Sequence, residues 1–166
     1  MARYDLIALP LSRSGFEPFG DVIQVEGNRH YTINQGWAER YHDLARVEVT
    51  AAGGRPLLNI FRTRPRTLPL LVRSVERHTL GSQAFIPLGR TRFLIVVAPA
   101  GAAPKPGDLR AFVTDGVQGV NYHPGVWHHP LLTLDQTGDF LVLDRGAATE
   151  DCEEAAFGAD EITLRL

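Results

Sequence analysis

Cysteine is almost missing from this chain. Cys152 stands alone, so no internal disulfide can form, and the chain fits a reducing compartment. It lies in the run Glu150-Asp151-Cys152-Glu153-Glu154, where neighbouring carboxylates disfavour the thiolate and argue against a nucleophilic thiol. Lysine is as scarce, with Lys105 the sole example. Any anion must therefore be held by arginine forks, histidines or backbone N–H groups. An excess of one charge is lacking too: the net charge is −2, which gives no reason to expect nucleic acid or an anionic membrane surface as partner. No apolar run has the length of a membrane span; the most apolar, residues 93–98, stops at Pro99. The opening stretch is broken by Pro10 too early for a secretory signal. A cytoplasmic protein without membrane or nucleic-acid partners is the expectation.

What the chain has instead is many short strand signals. Residues 6–11, 20–27, 31–35, 47–50, 57–63, 68–77, 83–87, 92–98, 109–113, 131–134, 139–144 and 161–166 read as strands, with glycine and proline punctuation between them. Residues 12–20 supply a turn region or a single helical turn. No long 3.6-period segment, internal repeat or linker interrupts this, so residues 1–166 are read as one all-β domain, a sandwich or barrel with a few short helical turns.

The chemistry concentrates in Gly119-Val120-Asn121-Tyr122-His123-Pro124-Gly125-Val126-Trp127-His128-His129-Pro130-Leu131. Pro124-Gly125 is strong turn chemistry, and the turn is expected to bring His123 and His128 close together on its two arms. Clustered histidines suit proton transfer or metal binding. If strand alternation persists, His129 faces away from His128. A second polar set lies in residues 70–78, where alternation puts Val72, Ser74, Glu76 and His78 on one face. With Val72 taken to mark the interior, Glu76 and His78 point inward at a strand end, and Arg73 and Arg77 point outward.

Glu76, His78, Gln83 and Gly89, together with Gly125 and His128, resemble the two-motif signature of the cupin jelly roll. Glu76 stands where that signature has a first histidine, and Gln83 where it has an acid. A neutral amide oxygen is a weaker transition-metal ligand than a carboxylate. Glu76, His78, Gln83 and His128 are the expected ligand set if a metal is bound.

Longer stretches carry a closer resemblance. Tyr41-His42-Asp43-Leu44-Ala45, Arg77-His78 through Ile86-Pro87, Gly119 through Leu131, and Asp139-Phe140 through Arg145-Gly146 are similar to the bacterial ureidoglycolate lyase family, over most of the chain from Phe19 to Gly146. The resemblance implies a cupin-like homodimer that splits ureidoglycolate into glyoxylate and urea during allantoin breakdown. It implies no organic cofactor, and a divalent metal, with nickel the ion associated with the family. The reaction asks for a base, an acid and a cationic clamp. His128 is the first choice as base and His123 the second, with Glu76 or His78 as partner acid. Arg62 is the first candidate to grip the substrate carboxylate and Arg145 the second, unless Arg145 pairs with Asp144 instead. Asn34, Gln83, Asn121 and Tyr122 are expected to bind the ureido group. Two other classes fit parts of the pattern: another metal-dependent cupin enzyme, such as a dioxygenase or isomerase, and a non-catalytic sensor of small acids. The residues do not separate release of urea from release of ammonia and carbon dioxide.

Overall fold

The strand Phe93–Ala98 organises the molecule because it is apolar on both faces. A computed structural model describes residues 2–166, and there Phe93, Ile95 and Val97 face one core while Leu94, Val96 and Ala98 face another. A strand buried on both sides must sit between two layers. The sheet that holds it runs in the order Cys152–Ala156, Ser74–His78, Trp127–His128, Phe93–Ala98, Arg110–Val113, Arg3–Pro10, Glu161–Arg165, Leu70–Leu71, with Leu132–Thr133 also pairing Phe93–Ala98. A five-stranded sheet packs on the Phe93, Ile95 and Val97 side, in the order Gly20–Ile23, Gly119–Tyr122, Gln83–Pro87, Gly138–Gly146, Arg55–Thr63. Pairing is antiparallel except where Arg3–Pro10 runs parallel to both of its neighbours. The expected all-β sandwich is what forms, and its few short helical turns among the described residues are one of α-helix, Arg13–Phe16, and three of 3₁₀-helix, Asn34–Gly36, Ala51–Gly53 and Pro106–Asp108.

The larger sheet curls until its two ends meet. Leu70–Leu71 and Ser74–His78 lie near opposite ends of the strand order, yet only residues 72–73 separate them along the chain. The same holds for Cys152–Ala156 and Glu161–Arg165, joined by residues 157–160. Two hydrogen bonds pin the corner: Val72 N–H donates to Ile162 O at 2.9 Å, and Phe157 N–H to Arg73 O at 3.0 Å. The first core fills the curl, with Val72, Val75, Trp127, Phe157 and Ile162.

That corner corrects the expected strand 68–77. It breaks at residues 72–73, and the parity changes with it, so Val72 and Val75 share one core although they are three residues apart. Glu76 and His78 therefore face away from the core that holds Val72. The expected strand 47–50 is not one either. Ser82 ties that segment down instead, its N–H donating to Glu48 O and its hydroxyl accepting from the Glu48 N–H, both at 2.8 Å. Strand Cys152–Ala156 was not foreseen, because its acidic residues give no alternating apolar pattern. No helix among the described residues is long and apolar enough to cross a membrane.

The second core rests on Phe93, fully buried with its ring edge-on to Phe140 at 5.2 Å. Phe93→Ala should cost about 3–5 kcal/mol of unfolding free energy, read from urea unfolding curves. A loss well under that range would mean the two sheets do not depend on this contact.

Candidate active site

The inner face of the five-stranded sheet changes character towards one end. Phe85, Val120 and Val142 are buried in the core; two residues along each strand stand Gln83, Tyr122 and Asp144. A period of two keeps all six on one face. From the opposite sheet, Ser74–His78 presents Glu76 and His78 on the side away from Val75, and His128 is the cross-strand partner of Glu76. Three strands of the five-stranded sheet and two of the curled one thus meet around His128, which is 2% exposed.

The His128 ring is clamped on three sides. It stacks on Tyr122 at 4.4 Å with 10° between the planes, and the His78 ring lies 5.4 Å away. Its Nδ1 lies 3.0 Å from Val126 O, an acceptor, so Nδ1 carries the proton and Nε2 keeps its lone pair. Burial lowers the His128 pKa to about 3, which keeps the ring neutral. That lone pair faces other acceptors: Gln83 Oε1 at 3.2 Å and Glu76 Oε1 at 3.7 Å. The Gln83 amide nitrogen is turned away, donating to Asp144 Oδ2 at 3.4 Å. His78 Nε2 is buried without a hydrogen-bond partner. One ligand atom each of Glu76, His78 and His128 lies within 4.8 Å of the others. Converging acceptors with no donor between them fit a cation, so these residues suit a divalent metal.

Cavities open on either side of this cluster. One, of about 320 Å³, is lined by His78, Gln83, Asp144, Arg145, Asp151 and Cys152 among others. The second, of about 430 Å³, has Glu76, Gln83, Phe61, Phe85 and Leu131 in its wall. Burial raises the Glu76 pKa, which His78 partly offsets and Glu154 reinforces. Burial also raises that of Asp144, against the hydrogen bond from Gln83, the nearby His78 and the hydrogen bond from Asn59. Tyr122, fully enclosed, has its hydroxyl pKa pushed up by burial and stays neutral.

Several expected residues lie elsewhere. His123 does not join His128: its Nε2 is 3.0 Å from Asp21 Oδ2, and its backbone N–H bonds Phe19 O. Asn121 is buried in that same group, donating to Asp21 Oδ2 and to Arg46 O, both at 2.9 Å. Burial raises the Asp21 pKa, but the hydrogen bonds from Asn121, the Arg46 amide and His123 outweigh it and hold the group below its ordinary value. Arg62 does line the second cavity, but it already grips a carboxylate, Asp139, through Nε and Nη2 at 2.7 and 2.8 Å. Arg145 does not pair with Asp144. Its Nε donates to Ala51 O at 2.9 Å and its Nη2 to Ala52 O at 3.4 Å, leaving Nη1 without a partner among the described residues. Asn34 is exposed beside the strand His30–Ile33, in the left-handed region with φ 53°, and lines neither cavity. Arg77 is not free in solvent; it stacks over the Trp127 ring at 4.5 Å and bonds Glu153.

Asp144 and Asp151 were missed as site residues. Asp144 had a signal, because it continues the inward-facing row of Phe140 and Val142. Asp151 had none, because only the pairing of Cys152 with His78 brings it to the site.

The sequence profile of a family described as ureidoglycolate lyase matches residues 4–164. The chain is similar to a ureidoglycolate lyase of Burkholderia cepacia, 55% identical over 145 residues, 87% of this chain and 81% of that one. It is also similar to the ureidoglycolate lyase of Pseudomonas paraeruginosa, 51% identical over 155 residues, 93% of this chain and 92% of that one. Among solved structures it is similar to an RmlC of Streptococcus suis in complex with dTDP-D-xylose, with TM-score 0.48 and 13% identity over 86% of this chain and 74% of that one.

The buried, neutral His128 makes stability depend on pH. The unfolded chain takes up this proton near pH 6.5, the native state only near 3. The contribution is intact above about 6.5 and is lost as pH falls towards 3. His128→Gln should flatten the fall in urea-unfolding free energy of metal-stripped protein across that window. An unchanged slope would show that the ring is not held neutral by burial.

Proposed function

The chain belongs to the ureidoglycolate lyase family, and from that premise we propose that it cleaves ureidoglycolate to glyoxylate and urea, a carbon–nitrogen elimination of the amidine-lyase type. The observation that carries this reading is the convergence of Glu76, His78 and His128 between two cavities, one of which also holds Asp144 and Arg145. The substrate carbon bears a hydroxyl and a urea nitrogen. The hydroxyl must lose its proton, the carbon–oxygen double bond form as the carbon–nitrogen bond breaks, and the departing nitrogen gain a proton.

Proton-transfer groups work best with a pKa near the operating pH. That criterion moves the base from His128, lowered by burial, to Glu76, raised by it. Glu76 Oε1 is turned to His128, and the carboxylate accepts no hydrogen bond among the described residues, so one oxygen is free to take the hydroxyl proton. Asp144, also raised by burial, delivers a proton to the departing nitrogen. Gln83 reaches both cavities and offers the ureido group an amide. Arg145 replaces Arg62 as the carboxylate grip, because it lines the cavity of His78 and bonds only backbone carbonyls, whereas Arg62 is already spent on the Asp139 carboxylate. Tyr122 holds the His128 ring flat, and His123 with Asn121 braces the turn through Asp21. A divalent cation held by Glu76, His78 and His128, with Gln83 beside them, would supply a Lewis acid that acidifies the hydroxyl. Nitrogen and oxygen donors suit nickel.

The protein works as a homodimer in this reading. Leu58 is 69% and Ile60 56% exposed on the outer face of the five-stranded sheet, where Leu143 and Leu141 are their cross-strand partners. A continuous exposed apolar patch marks an association surface. The exposed thiol Cys152, its pKa raised by burial and by Glu76, Glu154 and the other nearby carboxylates, fits a reducing cytoplasm. Ile60→Asp should convert a two-chain mass to a one-chain mass in sedimentation equilibrium; a wild type already of one-chain mass refutes the dimer.

Chelator-treated protein given ureidoglycolate, before and after nickel is restored, tests the activity. Urea and glyoxylate in equal amounts are expected, and Glu76→Gln should lower kcat by about 10²–10⁴-fold. Ammonia in place of urea would refute the lyase, and absence of turnover under both conditions would favour a sensor.

A further inference from the structure

His78 is the member of the cluster whose two ring nitrogens see opposite surroundings. Nε2 is buried and unpartnered. Nδ1 faces Asp151 Oδ1 at 3.9 Å, at the edge of the 320 Å³ cavity. Asp151 is itself fixed: its side chain is 12% exposed, and its other oxygen, Oδ2, accepts the Leu80 N–H at 3.0 Å. The register explains the placement. Cys152 is the cross-strand partner of His78, so the residue before it arrives beside the imidazole. The loop that bears the Leu80 amide leaves the same strand two residues after His78, and it locks the carboxylate from the other side.

We propose that Asp151 is a positioning residue: its carboxylate holds the proton of His78 on Nδ1 and so keeps the Nε2 lone pair free for the reaction site. The inference rests on the reading of Glu76, His78 and His128 as that site. An ionised carboxylate only accepts hydrogen bonds, so with Oδ2 committed to Leu80, Oδ1 favours the ring tautomer with hydrogen on Nδ1. A carboxylate behind a working imidazole fixes both its orientation and its tautomer. Distances of this kind are long in the free protein and close when the site is engaged. The acidic run 150–154 thereby has a use that its effect on Cys152 does not explain.

Asp151→Asn reverses the arrangement while keeping size and shape. The amide oxygen retains the Leu80 bond, and the NH₂ group then donates towards Nδ1, driving the proton to Nε2. The test is the ¹⁵N NMR spectrum of the His78 ring in chelator-treated full-length protein, at a pH where the ring is neutral. Wild type should show a protonated Nδ1 and a bare Nε2, and Asp151→Asn the opposite. Turnover of ureidoglycolate by the nickel-restored variant should drop about 10–100-fold in kcat with KM unchanged. A wild-type ring with the proton on Nε2 overturns the proposal without recourse to any variant, and so does a tautomer indifferent to Asp151→Asn. A reversed tautomer with full turnover upholds the positioning but removes His78 from the proposed chemistry, which separates the two failures.

Discussion

Everything around the site depends on a corner in one strand. Residues 72–73 let a single stretch of chain serve opposite ends of a sheet that curls shut, and the two hydrogen bonds to Ile162 and Arg73 hold that bend. The closure has a direct chemical result. Because Val72 and Val75 both enter the inner core, the residues that follow alternate out of phase with those that precede, and Glu76 and His78 turn towards the five-stranded sheet. A straight strand with the same residues would place these two on the side of Val72, inside the curl and away from Gln83 and Tyr122.

Within the site, burial does work that the side chains alone would not. A histidine at the surface titrates near neutrality; His128, enclosed and stacked on Tyr122, does not. Burial moves a carboxyl the other way, and Glu76 and Asp144 both rise. One physical cause therefore raises the two carboxyls to which proton transfer is assigned in the proposed reaction and keeps His128 a neutral lone-pair donor. The arrangement leaves His78 Nε2 buried and unpaired. Such atoms cost stability in a closed core, at about 1–3 kcal/mol each. At His78 that cost falls beside the cluster of Glu76 and His128, where strand ends of both layers meet.

The sequence was most legible where the answer is local. Alternation and turn residues located most of the strands, the apolar run 92–98 among them. Glu76, His78, Gln83 and His128 were recognisable as a set because their residue types and spacing resemble a known pattern. What failed needed long-range pairing. Arg62 and Arg145 look alike as candidates, and each lines a cavity, until cross-strand register gives Arg62 to Asp139. His123 and His128 flank one turn, yet Asp21, about a hundred residues earlier, claims the first of them. Asp151 could not be found at all, since an acidic run looks the same whether it is solvated or folded over an imidazole.

The division of the site into two cavities bears on how an elimination can be run. Breaking a carbon–nitrogen bond needs a proton removed at one atom and supplied at another, and a single group cannot do both at once. Glu76 opens on one cavity and Asp144 on the other, with Gln83 shared by both and hydrogen-bonded to Asp144. The strands impose this arrangement: Glu76 belongs to the curled sheet and Asp144 to its opposing layer, so the proposed base and the proposed acid approach from opposite layers, with Gln83 between them. A substrate carbon held beside Gln83 would then meet the proposed proton acceptor at its hydroxyl from one layer and the proposed donor at its ureido nitrogen from the other.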